Sequence, residues 1–473
     1  MEKYDLIVIG SGPAGEKAAV KAAYFKKRVA LIEKASAPGG SAVHEALPSK
    51  VLKEIALHSS GRMENELYGL EKTFHTPSIA LFLRRATRLS DSESQEIKKN
   101  LNDHGVDYYQ GEASFESPHE IVVSGRKPQK IYGDYILIAT GSSPSTAFNS
   151  GDVDGLRVHN VQTILDLERY PKSLCILGSG ISGCEYGSTF SLMDIKVYIV
   201  NRSRTVLPAF DQSIMKFFVR EMERSGVKML YEQELLSIDV PDNEEELIKL
   251  TFKDGSILDV DMALYAYGRV SNTKMLKLEN AGVIYDENTG IPTDQVYRSN
   301  IHHIYAIGDV NGQIRLANIA MDQGRVAVAE MFDVEGIRWV SDSIPYGIYS
   351  IPEVAMVGMT EEMMQKRGVD YDVGIAYYGD TARGKFLGSD GVIKLLFTKH
   401  DQIIHGVHIV GSGATELIHY GVGLVRDKKT LMFMISEPFN FPTLHEIYKY
   451  AAYDGLGALT GYKLKKHRTR FEL

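Results

Sequence analysis

Two glycine-rich motifs of identical spacing occur in this 473-residue chain. The first reads Gly10-Ser11-Gly12-Pro13-Ala14-Gly15, and the second reads Gly178-Ser179-Gly180-Ile181-Ser182-Gly183. In such a motif the first glycine permits a tight turn, the second lets a pyrophosphate approach the backbone, and the third packs a helix against a strand. A helix that begins in the motif adds N–H donors and a positive partial charge, so each motif predicts a dinucleotide site.

The residues that follow each motif differ in charge. Glu33 ends an apolar run after the first motif, and its carboxylate is expected to accept hydrogen bonds from a ribose hydroxyl, with Lys34 as a further contact. After the second motif the chain reads Asn201-Arg202-Ser203-Arg204. Asn201 can bond a ribose hydroxyl, and Arg202 or Arg204 can bind a 2′-phosphate. The second site is therefore expected to admit NADPH, the alternative being arginines merely solvated beside an NAD site.

Short apolar runs and helical patterns must position these motifs. The runs are Leu6–Ile9, Val29–Ile32, Tyr135–Ala139, Leu174–Leu177, Val197–Val200 and Ile304–Ile307. Continuous Val/Ile/Leu runs of this length are typical of strands buried on both faces of a parallel sheet. Helical patterns at Ala14–Lys26 and Ser182–Met193 alternate with the runs, which predicts an α/β fold with two Rossmann-like domains.

Composition excludes several classes of protein. The chain is 44% hydrophobic and 24% charged, and its net charge of −8 argues against a nucleic-acid partner. Two cysteines, Cys175 and Cys184, are too few for a disulfide scaffold or a cysteine-ligated metal, and we expect no metal site. No apolar run approaches the roughly 18 to 20 residues of a membrane span, and because the strand-like run Leu6–Ile9 comes so early we expect no signal peptide. We expect a cytoplasmic enzyme.

Two further motifs carry a family resemblance. Ala139-Thr140-Gly141 and Ile307-Gly308-Asp309 each follow a strand-like run. Together with the two glycine motifs they resemble the pyridine nucleotide–disulfide oxidoreductase family, and the resemblance covers essentially the whole chain. It implies FAD in the first site and a nicotinamide nucleotide, NAD or NADP, in the second. Within the first site it implies that Asp309 binds the ribityl chain, with Thr140 and Gly141 beside the cofactor.

The resemblance also implies which residues surround the flavin. Gly39-Gly40-Ser41 with Pro48-Ser49-Lys50 resembles the segment that runs past it. Lys50 is expected near flavin N5, paired with Glu185, and these two are the candidate catalytic residues. Ala317 begins a helix whose N-terminus is expected to face flavin N1 and stabilise the charge that develops there.

On the nicotinamide side, the resemblance implies that Ile181 faces the flavin ring and that Glu185 lies beside the nicotinamide. Gly268 belongs to Gly268-Arg269-x-x-Asn272-Thr273, which resembles the junction leading back to the FAD domain. Gly178, Gly180 and Gly183 would form the turn around the nucleotide pyrophosphate.

The groups that reduce disulfides in this family are absent here. Ala42 stands where the first redox cysteine belongs, and the segment is one residue short, so the second has no counterpart. Phe441 replaces the C-terminal histidine base, and a phenyl ring cannot accept a proton. His44 and His445 are not favoured as substitute bases, and Cys175 and Cys184 are explained by packing. Disulfide reduction is excluded.

Several stretches resemble one group in the family, the soluble pyridine nucleotide transhydrogenases. They are Gly183–Tyr186, Asp322–Arg325, Gly347–Glu353 and Asn440–Thr443. The implied reaction is FAD-dependent hydride transfer between NADPH and NAD by a ping-pong route through flavin N5. One alternative is an NAD(P)H:acceptor reductase that acts on quinones. Another, from a different class, is a non-catalytic FAD protein that senses nucleotide redox state.

The resemblance predicts the order of domains along the chain. Residues 1–148 and 271–345 form the FAD-binding domain, 149–270 the NAD(P)-binding domain, and 346–473 an α+β C-terminal domain that joins two copies in a homodimer. Linkers are expected at Ser142–Gly155 and around Gly268–Thr273, and the basic Lys463–Arg470 is interpreted as a solvated tail.

Overall fold

The computed structural model describes residues 1–60, 78–125, 128–145, 153–243, 245–388 and 390–461. They fall into two units by their internal contacts. The first comprises Met1–Val51, Leu83–Ser150 and Tyr267–Ser341, and the second comprises Leu52–Phe82, Gly151–Ala266 and Asp342–Leu473. The basic tail Lys463–Arg470 and part of the expected linker Ser142–Gly155 lie outside the described residues.

A seven-stranded mixed sheet forms the centre of the first unit. Its spatial order is Asp107–Gln110, Val29–Glu33, Glu2–Ile9, Gln129–Ile138, Glu120–Val123 and Ala113–Ser117, with Ile304–Ala306 paired to Gln129–Ile138. The strands that contain the apolar runs pair in parallel with one another, and Leu6 is in register with both Val29 and Tyr135. The pairs on either side of Glu120–Val123 are antiparallel. The strands with apolar runs are thus parallel as predicted, and the sheet as a whole is mixed because two further short strands form a hairpin at its edge.

Helices cover this sheet and carry the first motif. Pro13–Tyr24 and Ala317–Phe332 pack their alanine-rich faces against each other and the sheet, where Leu6, Val8 and Leu31 are fully buried. The first unit also contains the π-helical turn Ala42–Ala46 and the 3₁₀ turns Lys274–Leu276, Leu278–Ala281 and Gly308–Asn311. The helices Leu47–Ser59 and Ile79–Asp103 each have residues in both units. The two predicted linkers contain paired strands, since Ser142–Pro144 is antiparallel to Arg269–Ser271.

The second unit contains a five-stranded parallel sheet around the second motif. Its order is Lys228–Tyr231, Lys196–Asn201, Ser173–Leu177, Met262–Tyr265 and Val158–Asn160. The helices Ile181–Ser191 and Gln212–Arg224 and the 3₁₀ turn Thr163–Asp166 connect these strands. A small antiparallel sheet is formed by Leu235–Asp239, Ile248–Phe252 and Ile257–Val260.

The C-terminal part of the second unit is an antiparallel sheet with helices. Its strand order is Tyr346–Ile348, Val354–Gly358, Ile404–Val410, Val392–Thr398 and Tyr371–Tyr377. The helices are Glu361–Lys366, Ala382–Leu387, Ala414–Arg426, Leu431–Ser436 and Glu446–Thr460, with a 3₁₀ turn at Tyr378–Asp380. Ile409, Leu395, Leu417 and Ile447 belong to one buried apolar cluster between sheet and helices.

The predicted α/β class with a repeated nucleotide-binding architecture and an α+β C-terminal part is confirmed. The domain limits at residues 148, 270 and 345 stay a prediction. Among the residues that the structure describes, no helix combines the length and the apolar composition of a membrane crossing.

Candidate functional site

Both glycine motifs form the same turn. Gly10 has φ +106° and Gly178 has φ +118°, a region that L side chains rarely adopt. A Cβ on Gly15 would lie 2.0 Å from the Gly10 carbonyl oxygen, and one on Gly183 would lie 1.9 Å from that of Gly178. The central glycines are different, since a Cβ on Gly12 or Gly180 would meet no heavy atom within 4 Å. In each turn the first and third positions therefore require glycine, whereas the space beside the central glycine, at the N-terminus of a helix, is free for a ligand.

Glu33 braces the first turn. Its Oε2 accepts hydrogen bonds from the Ser11 backbone N–H at 2.9 Å and from the Ser11 hydroxyl at 2.6 Å, and its Oε1 accepts the Ala35 N–H at 2.8 Å. The carboxylate is buried, whereas Lys34 beside it is exposed. Tyr108 lies in the neighbouring strand Asp107–Gln110. Its burial, together with a smaller contribution from the negative charge of Glu33, raises the pKa of Tyr108 to about 12. The ribose contact expected of Glu33 stays a prediction.

The segment predicted to run past the flavin lies against the first turn. The Gly39 N–H donates to the Ser11 hydroxyl at 3.1 Å, and a Cβ on Gly40 would lie 3.3 Å from the Gly12 Cα. Ser41 is the N-cap residue of the π-helical turn Ala42–Ala46. This turn leads directly into the helix that carries Lys50, whose Nζ lies 3.3 Å from the Ser49 hydroxyl.

A cavity of about 500 Å³ opens beside these groups. Gly39, Ala42, Pro13 and Ala317 contribute to its lining. Pro13 and Ala317 are the first residues of two helices, and in neither helix does the N-cap side chain bond the first turn. The N-termini of both helices therefore offer donors and positive partial charge to one space, which fits an anionic group at this end, although carboxylates also line the cavity, namely those of Glu16, Glu93, Glu96 and Asp103.

A polar network that the sequence did not predict supports Asp309. The Arg269 guanidinium donates to Glu45 Oε2 at 2.7 Å, to the Ser142 hydroxyl at 2.7 Å and to the Ser142 carbonyl at 2.7 Å. The Ser142 hydroxyl in turn donates to Asp309 Oδ2 at 2.6 Å. The arginine follows Gly268, so only its place in that motif could have indicated it.

Thr140 and Gly141 are held close to the same network. The Thr140 hydroxyl donates to the Asn272 carbonyl at 2.7 Å, and the Asn272 side-chain amide donates to the Thr140 carbonyl at 2.9 Å. The Asn272 N–H donates to the Gly141 carbonyl at 3.0 Å. Since Gly268 and Asn272 flank the strand Arg269–Ser271, the predicted junction around Gly268 and the Ala139-Thr140-Gly141 motif are adjacent in the first unit.

In the second unit the second motif places Ile181 and Glu185 on one helix. Ile181 is the first residue of that helix and is 41% exposed, so an apolar side chain stands open at the helix N-terminus. Glu185 is buried, and its Oε1 accepts the Tyr349 backbone N–H at 3.0 Å. The Ile351 N–H donates to the Ser188 hydroxyl at 2.9 Å. The segment around Tyr349 is thus anchored along the helix at two points.

A buried ion pair supports the same segment. Lys53 Nζ lies 2.5 Å from Glu353 Oε1, and both side chains are largely removed from solvent. Glu353 Oε2 accepts the Thr415 N–H at 3.1 Å and its hydroxyl at 2.7 Å. The Lys53 ammonium also lies 5.9 Å from the centre of the Tyr349 ring. None of the motifs identified in the sequence includes this lysine.

The loop after the strand Lys196–Asn201 carries the predicted 2′-phosphate contacts. The Asn201 amide donates to the Thr205 carbonyl at 2.9 Å and so closes the loop. Arg202 and Arg204 are both exposed, and Arg204 pairs with Glu232 at 2.9 Å. The phosphate and ribose contacts themselves stay predictions.

Neither cysteine has the properties of a redox thiol. Cys175 and Cys184 are fully buried, and burial raises the pKa of both thiols well above the ordinary value. A thiol of raised pKa is a poor nucleophile at neutral pH. Phe441, at the position of the missing base, is 69% exposed. His445 is partly buried, and burial lowers its pKa.

The structure therefore groups the predicted residues in two sets. The first unit joins the glycine turn, Glu33, Gly40, Ser41 and Lys50, and beside them Thr140, Gly141, Asp309, Ala317 and Gly268. The second unit joins Gly178, Gly180, Ile181, Gly183, Glu185 and the arginine loop. Lys50 and Glu185 belong to different units, and their pairing stays a prediction.

Comparison with known proteins agrees with this architecture. Residues 4–324 match the family model described as Pyridine nucleotide-disulphide oxidoreductase, and residues 344–452 match the model of its dimerisation domain. A soluble pyridine nucleotide transhydrogenase of Mycobacterium bovis is 36% identical over 465 residues, which are 96% of this chain and 97% of that protein. One of Hahella chejuensis is 35% identical over 97% of this chain and 99% of its own length.

A solved structure is also similar. The Cu(II) complex of the HOCl-induced flavoprotein disulfide reductase RclA from Escherichia coli superposes with a TM-score of 0.86 at 25% identity. The match covers 96% of this chain and 99% of the other. With its two glycine turns, its cofactor-sized cavity and these matches along nearly the whole length, the chain belongs to the pyridine nucleotide–disulfide oxidoreductase family.

Proposed function

We propose that this protein transfers a hydride between NADPH and NAD⁺, so that NADPH and NAD⁺ interconvert with NADP⁺ and NADH. The family binds FAD. Bound FAD supplies a two-electron carrier that takes a hydride from one nicotinamide nucleotide and gives it to the next. Relatives at 35–36% identity that bear the name soluble pyridine nucleotide transhydrogenase support this assignment.

One observation carries the proposal: the chain keeps both dinucleotide turns but lacks every group that thiol exchange needs. Ala42 has no sulfur, and the two cysteines of the chain are buried with raised pKa values. Phe441 cannot act as a base. A flavoprotein that retains two nucleotide sites without a redox-active thiol has hydride exchange between nucleotides as its simplest complete cycle.

In the first site, residues of the chain would bind FAD and stabilise charge on its flavin ring. The turn at Gly12 and the helix N-terminus at Pro13 would hold the pyrophosphate, and Asp309, fixed by Ser142, would hold the ribityl chain. The helix that begins at Ala317 would stabilise negative charge at the flavin N1 edge. Lys50 would place a cation near flavin N5.

On the nucleotide side, the residues bind and orient. The turn at Gly180 would hold the pyrophosphate, and Arg202 with Arg204 would bind a 2′-phosphate when one is present. The carboxylate of Glu185, oriented by the Tyr349 N–H, would lie against the nicotinamide. A site that accepts both NADPH and NAD in turn requires no other substrate pocket.

A second candidate is reduction of a quinone-type acceptor by NAD(P)H. The observation that favours it is the small side chain of Ala42 in the cavity wall, which leaves space where this family otherwise has a thiol.

The match of residues 344–452 to a dimerisation domain supports a homodimer, and we expect the protein to act in the cytoplasm.

Initial rates test the proposed function. With NADPH as donor and the thio analogue of NAD⁺ as acceptor, reciprocal plots at several fixed acceptor concentrations are expected to be parallel, since one nucleotide leaves before the next binds. Turnover with a quinone that exceeds turnover with the nucleotide acceptor in kcat/KM would favour the second candidate.

A further inference from the structure

Glu232 is held next to the arginine loop by the backbone. It directly follows the strand Lys228–Tyr231, which is parallel to Lys196–Asn201 with Tyr231 in register with Asn201. Because parallel strands end at the same edge of a sheet, the residues after them are neighbours. The Gln233 N–H donates to the Asn201 carbonyl at 3.1 Å and fixes the turn that contains Glu232 to the end of the other strand.

The Glu232 carboxylate occupies the binding edge of Arg204. Arg204 Nε donates to Glu232 Oε2 at 3.0 Å, and Nη2 of the same guanidinium lies 2.9 Å from that oxygen. Two adjacent N–H groups of an arginine are the pair that grips a phosphate or carboxylate. The edge that a 2′-phosphate would use is therefore filled by a carboxylate of the chain itself.

Glu232 adopts a backbone conformation that is unusual for its type. Its φ is +56°, in the left-handed region where glycine and asparagine are favoured. Such a conformation persists when the surroundings determine it. The Arg204 and Glu232 side chains are 81% and 59% exposed, and exposed ion pairs contribute little to stability. The backbone thus places the Glu232 carboxylate against Arg204, but a competing anion can displace it at little energetic cost.

We infer that Glu232 determines nucleotide specificity by competing with the 2′-phosphate of NADPH for Arg204. This inference rests on the proposed function, which assigns the nucleotide to this end of the sheet. NADPH must break the ion pair and leave a carboxylate beside its phosphate, and the two like charges repel. NADH has no 2′-phosphate, so it leaves the pair intact. The competition therefore reduces the difference in affinity between NADPH and NADH, so that the site can bind both nucleotides.

Binding of nucleotide fragments to the FAD-loaded protein tests the inference without turnover. Calorimetric titration with 2′,5′-ADP, which carries the extra phosphate, is compared with titration with 5′-AMP, which lacks it. Glu232→Gln should tighten 2′,5′-ADP binding about three- to tenfold and change 5′-AMP binding by less than about twofold. Glu232→Asn, a residue that tolerates positive φ, should give the same result with the backbone conformation retained.

Two controls separate this route from general charge effects. Glu116→Gln removes one carboxylate from an exposed ion pair with Lys130 in the other unit, and it should change neither affinity. In an Arg204→Met background the gain from Glu232→Gln should fall by at least about half, because the competing partner is gone. The gain should also shrink at high salt, since the groups involved are exposed.

The outcomes are decisive. Tighter 2′,5′-ADP binding that depends on Arg204 supports the inference. Unchanged 2′,5′-ADP binding in both Glu232 variants, or an equal gain for 5′-AMP, overturns it. A full gain in the Arg204→Met background also overturns it, because Glu232 would then act without Arg204. If the variants behave as expected but NAD⁺ does not accept hydride from the reduced protein, the proposed function fails while the role of Glu232 stands.

Discussion

The guanidinium of Arg269 donates to the carboxylate of Glu45 at 2.7 Å, and it joins residues that are far apart in sequence. Glu45 belongs to the π-helical turn that replaces the redox-cysteine segment, and Arg269 grips Ser142, which donates to Asp309. One arginine therefore connects the altered segment with the residue expected to hold the ribityl chain.

Removal of this arginine should loosen the FAD site. Arg269→Met removes the ion pair to Glu45, whose side chain is 13% exposed, and we expect a loss of about 1–3 kcal/mol in the free energy of unfolding. Adding Glu45→Leu should recover part of the loss, because the half-buried carboxylate is removed together with the guanidinium that it bonded. Urea unfolding with flavin fluorescence as a second signal measures both. A double variant as unstable as the single one would contradict this account of the pair.

The arginine loop should distinguish the two nucleotides. Arg202→Ala combined with Arg204→Ala is expected to weaken NADPH binding about tenfold or more and NADH binding much less, because only the phosphate contacts are lost. KM values for both donors measure the effect. Equal losses for NADPH and NADH would show that these arginines do not bind the phosphate.

Lys50 should affect chemistry more than folding. Lys50→Ala removes a cation expected near flavin N5 and should slow reduction of the bound FAD by NADPH by about tenfold or more. Lys130→Ala, at an exposed position paired with Glu116 and outside the cavity lining, serves as the matched control. Stopped-flow absorbance gives the rate, and the melting temperature shows that the variant folds. An unchanged rate of reduction would place Lys50 outside the active site.

The cysteines should be dispensable for turnover. Burial raises the pKa of Cys184, and its sulfur lies 3.5 Å from the Ser179 carbonyl, so it is not a nucleophile at neutral pH. Cys184→Ala is expected to keep most of the transhydrogenase activity, and iodoacetamide should leave the native protein active. A folded variant without activity would reopen thiol chemistry.

The free energy of unfolding should decrease below about pH 6.5, because the unfolded chain then binds a proton at His408 more readily than the folded protein does. This histidine is fully buried, burial lowers its pKa, and its Nε2 lies 2.9 Å from the Met359 carbonyl, with Asp211 and Lys394 nearby. The unfolded chain therefore binds the proton more readily than the folded protein, so this contribution is present above about pH 6.5 and is lost as the pH falls, by up to about 1.4 kcal/mol per pH unit. His408→Gln should flatten the pH dependence of urea unfolding, whereas exposed His104→Gln should not. A slope unchanged by His408→Gln would rule out this cause.

Part of the fold could be predicted because burial leaves a local signature. The runs Leu6–Ile9, Leu174–Leu177 and Val197–Val200 lie in strands buried on both faces, and each is continuous in sequence. The hairpin Ala113–Ser117 with Glu120–Val123 was missed because its short strands alternate in burial and carry no continuous apolar run. The linkers were expected to be irregular, yet Ser142–Pro144 and Arg269–Ser271 pair across the fold.

The site shows the same division. The glycine turns could be predicted because their function is local to six residues. The network of Glu45, Arg269 and Ser142 could not, since it depends on three segments that meet only after folding. The Glu232 contact with Arg204 likewise depends on the order of neighbouring strands in the second sheet, which periodicity does not determine.

The most direct test of the central claim is an anaerobic pair of half-reactions followed by flavin absorbance. The purified protein is reduced with one equivalent of NADPH, separated from NADP⁺, and then mixed with NAD⁺. The account predicts fast reoxidation of the flavin with one equivalent of NADH formed. A flavin that stays reduced under NAD⁺ and reoxidises with a quinone would contradict hydride transfer between nucleotides and assign the protein to acceptor reduction.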